Sequence, residues 1–231
     1  MILEIKVNTS EINNNNMVKI IIIRHGQSIG NLNRVFLGHT NLDLSDLGYK
    51  QANRTAEQLA GEKIDAIYSS DLIRALNTAL PHANIRGIDV IRNEKLREAY
   101  VGAWENMHVD EIIEKWGREV FVDQWKNNFG SFTFPGGEST RAAGKRFYDE
   151  IVHLCEQNIG KTILISSHAA IIRSFWGIIS GLTCDEVSVM VPFPTNASYS
   201  ICYYKNGQIS PFSYSNDEHL SDVGITKVNL I

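Results

Sequence analysis

A chain of 231 residues, 43% hydrophobic and 21% charged, has the composition of a globular protein that can bury most of its apolar surface in one domain. Its net charge of -4 excludes a broad electrostatic attraction for nucleic acid or an anionic membrane, so any anionic ligand must be held by local positive groups. Three widely spaced cysteines, Cys155, Cys184 and Cys202, with no CxxC spacing, argue against zinc and against a complete disulfide framework, and read as reduced core residues.

Residues 1–16 combine a short alternating start, LEIKV, with the polar stretch NTSEINNNN, and are expected to form a flexible extension before a domain at 17–231. No apolar run approaches the ~20 residues of a membrane-spanning helix, and the start lacks the basic-then-apolar layout of a signal peptide. A cytoplasmic protein with no membrane partner is expected. Val18–Ile23 is a continuous β-branched run and predicts a buried strand ending at Arg-His-Gly. Ser45–Ala60 predicts an amphipathic helix with a Ser/Asp cap, closed by Gly61. Ile64–Ser69 predicts a second strand, Asp71–Ala83 a helix and Val90–Arg92 a short third strand.

Residues 94–135 change character, with aromatic and charged residues and helical patches at His108–Trp116 and Val120–Asn127. They are expected to form a cap inserted over one end of the sheet. A Pro-Gly-Gly turn opens a predicted long helix, Gly136–Gln157; Thr162–Ser166 predicts a buried strand and Ala169–Ile179 a helix. Ser198–Tyr204 and Gln208–Ser213, joined through Asn206-Gly207, predict a hairpin. Strands alternating with helices imply an α/β fold, a three-layer α/β/α sandwich on a mostly parallel sheet, with ligands at the carboxyl ends of strands.

That placement singles out two of the seven histidines, because His25 follows the strand IIIIR and His168 follows TILISS. Arg24 precedes His25, and Gly26 lets the backbone approach a ligand closely. Ser28 and Asn31 offer further hydrogen bonds, and Arg74, past a third strand end, offers a guanidinium fork for phosphate oxygens. Glu98 opens the cap and places a carboxyl group over the same crevice. The constellation, not any one member, reads as a phosphate cradle.

Five segments carry a resemblance: RHGQSIGN at Arg24–Asn31, SSDLIRALNTA at Ser69–Ala79, LREAYVGAWEN at Leu96–Asn106, FPGGES at Phe134–Ser139 and SSHAAIIR at Ser166–Arg173. In this order they resemble the histidine phosphatase superfamily, the phosphoglycerate-mutase-like or RHG-motif group, from about Val18 to NDEHL near the C-terminus. The resemblance implies that His25 attacks phosphorus, that His168 binds the phosphoryl oxygens, and that Arg24 and Arg74 neutralise their charge. It also implies that Glu98 gives a proton to the leaving alkoxide and that Asn31 contacts the phosphoryl group. Ser28, Gly26, Gly38 and Ala169 complete the expected substrate-binding set. No metal is expected, since the arginines supply the electrostatic work. Gln27, Leu37, Asn106 and the Ala169–Ala170 pair depart from the commonest pattern, which leaves the substrate open rather than the chemistry.

A mutase must hold phosphoglycerate at both ends and so needs extra basic residues. The cap offers only Arg97, Lys115, Arg118 and Lys126, and YVGAWEN replaces the mutase-style signature after the glutamate. The residues therefore favour a phosphatase acting on a small phosphorylated metabolite without a cofactor. A 2,3-bisphosphoglycerate-dependent mutase is the alternative, and a non-catalytic phospho-ligand binder the second. Trp104, Trp116, Phe121 and Trp125 are candidates for an apolar pocket wall or for packing the cap. Sugar phosphates, an alpha-ribazole-type nucleoside phosphate and phosphorylated acids all stay open as substrates. The C-terminal hairpin offers an edge for pairing with a second copy.

Overall fold

Every side chain of Ile20–Ile23 is buried, so the first strand must be covered on both faces. The structure, a computed structural model, describes residues 16–227; the extension expected at residues 1–16 lies outside them but for Asn16. In chain order the elements are β1 (Met17–Arg24), α1 (Ile29–Leu32), β2 (Val35–Phe36), α2 (Asp46–Gln58), β3 (Ala66–Ser69), α3 (Ile73–Arg86) and β4 (Val90–Arg92). Then come β5 (Met107–His108), α4 (Val109–Trp116), a π-helical stretch at Val120–Lys126, α5 (Thr140–Glu156), β6 (Thr162–Ser167), α6 (Ala169–Ile179), α7 (Cys184–Met190), β7 (Tyr199–Lys205) and β8 (Gln208–Asn216).

Six strands form one sheet in the order β4-β3-β6-β1-β7-β8. The first four are parallel, and the β7–β8 hairpin adds two antiparallel strands beside β1. On one face Ile20 and Ile22 pack with Phe147 and Ile151 of α5 and with Ile171 and Phe175 of α6. On the other, Ile21 and Ile23 pack with Leu59 after α2 and with Ala79 and Ala83 of α3. The alternation of one strand thus fixes both helical layers. A separate aromatic cluster joins Phe36 to Trp104, Phe121, Phe132 and Phe134, so residues 94–135 carry their own core.

Several boundaries differ from the sequence reading, each for a local reason. Helix α2 ends at the cap residue Leu59, not at Gly61. Helix α3 runs one turn further than Ala83, to Gly87, whose φ of 64° gives the left-handed stop. Helix α5 begins at Thr140 because Ser139 accepts the N–H of Ala142, while Pro135-Gly136-Gly137 stays in the preceding turn. The β2–β5 ribbon, α1 and α7 are too short to produce a periodic signal.

His82, on α3, is fully buried with neither ring nitrogen hydrogen-bonded. Burial, then the nearby Arg86 and His219, pushes its imidazole down to about 3 from the ordinary 6.5. A folded value below the unfolded one means that the unfolded chain takes up this proton first. Stability therefore falls as pH drops from 6.5 toward 3. Denaturant unfolding at pH 7 and near pH 4.5 is expected to show His82→Leu losing about 2 kcal/mol less than the wild type over that interval. Equal losses would contradict this account.

Candidate active site

Strands β1 and β6 run parallel in register, with Arg24 opposite Ser167, and the His25 N–H donates to the Ser167 carbonyl at 2.9 Å. The next residue of each strand end is a histidine, and the two rings stand 5.2 Å apart between centroids. Strand β3 pairs Ser69 with Ser166 on the other side of β6, so the start of α3, with Arg74, opens onto the same end of the sheet.

His25 is 4% exposed and its Nδ1 lies 2.7 Å from the Gly26 carbonyl. A carbonyl only accepts, so Nδ1 carries the proton and Nε2 keeps its lone pair on the cleft that His25 lines. Burial, then Arg74 and Arg24, holds the imidazole well below its ordinary 6.5. His168 lies fully buried behind it, with neither ring nitrogen hydrogen-bonded. Burial and the charge of Arg74 lower its pKa as well. Both rings are therefore neutral at physiological pH.

Both arginines are buried and held by backbone carbonyls rather than by carboxylates. Arg24 donates from Nη1 to Pro194 O at 2.6 Å. Arg74 donates from Nη1 to Thr40 O at 2.8 Å and from Nη2 to Gly38 O at 2.7 Å. Burial lowers each to about 10, which leaves both charged, and each bound terminal nitrogen keeps a second N–H. Glu98 lines the cleft with its carboxylate on the first turn of α6, accepting from Ala170 N at 3.1 Å and Ile171 N at 3.0 Å. Asn31 Oδ1 accepts from Ser28 N and from Asn196 Nδ2, both at 3.1 Å, which orients the amide so that its own NH2 is free to donate.

The cleft brings Arg24, His25, Asn31, Arg74 and Glu98 together, with Gly38 and Ala169 also on its wall. It does not include Ser28, Gly26 or His168, the last of which lies fully buried against His25. Ser28 is fully buried and caps α1 by accepting the Asn31 N–H. Gly26 backs onto α2, where a Cβ would come within 2.4 Å of the Gly48 carbonyl, so its missing side chain serves packing. Of the four aromatic candidates only Trp125 lines the cleft; Trp104 and Phe121 are buried in the second core and Trp116 packs against it. Phe36, Phe134 and Phe193 take the remaining aromatic positions.

Two further residues hold the site from behind. Glu105 accepts from His39 N, Thr40 N and Thr40 Oγ1 at 2.7–2.8 Å, fixing the loop whose carbonyls hold Arg74. Asn196 donates to both the His25 carbonyl and Asn31 Oδ1. Neither had a sequence signal, since each acts through another residue across more than sixty positions. Among the described residues no group of three or more His, Cys, Asp or Glu side chains is placed to hold a metal ion, and no helix is long and apolar enough to cross a membrane.

The model of the histidine phosphatase superfamily (branch 1) matches residues 20–217. The chain is 31% identical to phosphoserine phosphatase 1 of Hydrogenobacter thermophilus over 81% of its length and 87% of the relative's. It is also 31% identical to the 2,3-bisphosphoglycerate-dependent phosphoglycerate mutase of Allorhizobium ampelinum, over 73% of its length and 82% of the relative's. The solved phosphoserine phosphatase of Entamoeba histolytica, in complex with 3-phosphoglyceric acid, superposes with a TM-score of 0.74 at 28% identity, covering 88% of this chain and 99% of the other.

The electrostatics of the two rings are directly measurable. NMR titration of ring signals assigned through His25→Gln and His168→Gln is expected to show both midpoints well below the ordinary 6.5. A midpoint at or above the ordinary 6.5 for either would contradict the buried, arginine-flanked environment.

Proposed function

This chain belongs to the histidine phosphatase superfamily, and we propose that it is a phosphatase that hydrolyses small phosphomonoesters through a phosphohistidine on His25. The observation that carries the reading is the Nδ1 contact with Gly26 O, which leaves the Nε2 lone pair available in a cleft that Arg24 and Arg74 also line. The similarity to a phosphoserine phosphatase supports the same reaction class.

In the first step the Nε2 lone pair of His25 attacks phosphorus, an N–P bond forms, and the bridging P–O bond breaks. The remaining N–H groups of Arg24 and Arg74, the Asn31 amide and an N–H of His168 receive the equatorial oxygens as charge spreads over them. The guanidinium groups are already oriented by backbone carbonyls, so little reorganisation accompanies the reaction. Glu98, when protonated, delivers its proton to the departing oxygen. In the second step the resulting carboxylate takes a proton from water as that water attacks phosphorus. The N–P bond breaks, inorganic phosphate leaves, and His25 and Glu98 return to their starting states. These steps use no cofactor.

The mutase alternative replaces water with a second oxygen of a bound phosphorylated acid, and the similarity to a phosphoglycerate mutase keeps it in the experiment. Phosphate release from alkyl and aryl phosphates is measured beside isomerisation of 3-phosphoglycerate primed with 2,3-bisphosphoglycerate. His25→Ala is expected to lose phosphate release by at least about 10³-fold. Glu98→Gln is expected to lose about 10²-fold or more on alkyl phosphates but much less on aryl phosphates, whose leaving groups need less protonation. Isomerisation outrunning hydrolysis would replace the phosphatase reading with the mutase one. Phosphate release that survives in His25→Ala would remove both.

A further inference from the structure

Apart from the polar residues around His25, the wall of the cleft is apolar. Its outer wall is Phe36, Leu37, Val101, Trp125, Phe134 and Phe193. The aromatic members are locked to one another rather than loosely gathered. Trp125 and Phe193 stack at 5.6 Å with 26° between planes, and Phe36 meets Trp125 edge-on at 5.1 Å. Phe193 is held from the far side by Arg173, whose guanidinium lies 4.3 Å from its ring and 4.4 Å from that of Phe129. Arg173 Nε also donates to Val191 O at 2.6 Å, which pins the loop carrying Phe193.

Charge is distributed with equal bias. Among the described residues lining the cleft, the only cations are Arg24 and Arg74, both at its phosphoryl end. The one other charged lining residue is Glu98, an acid. Arg173 stands behind Phe193 rather than on the wall, and Arg34 and Lys227 line a separate depression that shares only Asn31 with the cleft. A phosphorylated acid bound at His25 would set its carboxylate among aromatic rings and beside Glu98, with no cation on that wall to replace its lost hydration.

We propose that the ester cleaved here carries an uncharged apolar or aromatic alcohol, seated between Trp125, Phe193 and Phe36, and not a phosphorylated amino or hydroxy acid. This inference rests on the phosphatase reading and specifies its leaving group. Trp125 and Phe193 are the specificity-determining contacts, and Arg173 is a positioning residue that acts through Phe193.

The test uses phosphates of primary alcohols, so that leaving-group basicity stays nearly constant: 2-phenylethyl phosphate, ethyl phosphate, phosphoserine and glycerol 3-phosphate. The wild type is expected to prefer 2-phenylethyl phosphate over phosphoserine by at least about tenfold in kcat/KM. Trp125→Ala and Phe193→Ala should each lower the preference for the phenylethyl ester over ethyl phosphate by about tenfold in kcat/KM. Val35→Lys, which puts a cation on the half-buried cleft residue Val35, should raise activity on phosphoserine. Phosphoserine or glycerol 3-phosphate cleaved as well as the phenylethyl ester by wild type would overturn the inference and leave the phosphatase reading standing. Failure to cleave any of the four would remove that reading, and this inference with it. The wild-type panel decides the matter even if an alanine variant does not fold.

Discussion

The parallel register of β1 on β6 is the constraint on which the site depends. Arg24 faces Ser167 across that pair, so the two chains leave the sheet side by side and each continues into a histidine. A slip of one residue would send alternate side chains to the opposite face, burying the wrong isoleucines and parting the rings. The same alternation assigns Ile20 and Ile22 to one helical layer and Ile21 and Ile23 to the other. Packing of the core and placement of the two imidazoles are therefore one requirement.

Burying two arginines beside two histidines is expensive unless each charge is solvated by the protein. Here the solvating groups are the carbonyls of Pro194, Gly38 and Thr40, which hold the guanidinium groups without cancelling their charge. Carboxylate partners in their place would satisfy the arginines and weaken their pull on an incoming anion. Glu105 contributes one step removed, through the loop N–H groups that place two of those carbonyls. On the proposed reading, burial and then the cations keep His25 uncharged, so the nucleophile needs no deprotonation at physiological pH.

Much of this was legible in the sequence because strand ends followed by functional residues are local patterns. IIIIR before His25 and TILISS before His168 give both the strand and the point where it stops, and the helix over Ala169–Ile179 follows directly. The aromatic wall was not legible. Trp104, Trp116, Phe121 and Trp125 look alike in a mixed segment, and only tertiary packing turns Trp125 into the cleft. Phe193 lies in a loop without periodicity, and what fixes it is Arg173, twenty residues earlier, on α6. Ser28 and Gly26 illustrate the opposite case: both lie beside His25 in sequence, yet one caps a short helix and the other makes room for Gly48.

In the proposed mechanism His25 itself carries the phosphoryl group between the two steps. The most direct measurement is rapid mixing of the wild-type protein with a ³²P-labelled aryl phosphate, an alkaline quench that preserves a phosphorus–nitrogen bond, and peptide mapping of the label. Label is expected on the peptide containing His25, formed before steady-state release of phosphate and lost on acid treatment. Label on another residue, or turnover with no labelled protein at any time, would contradict that mechanism.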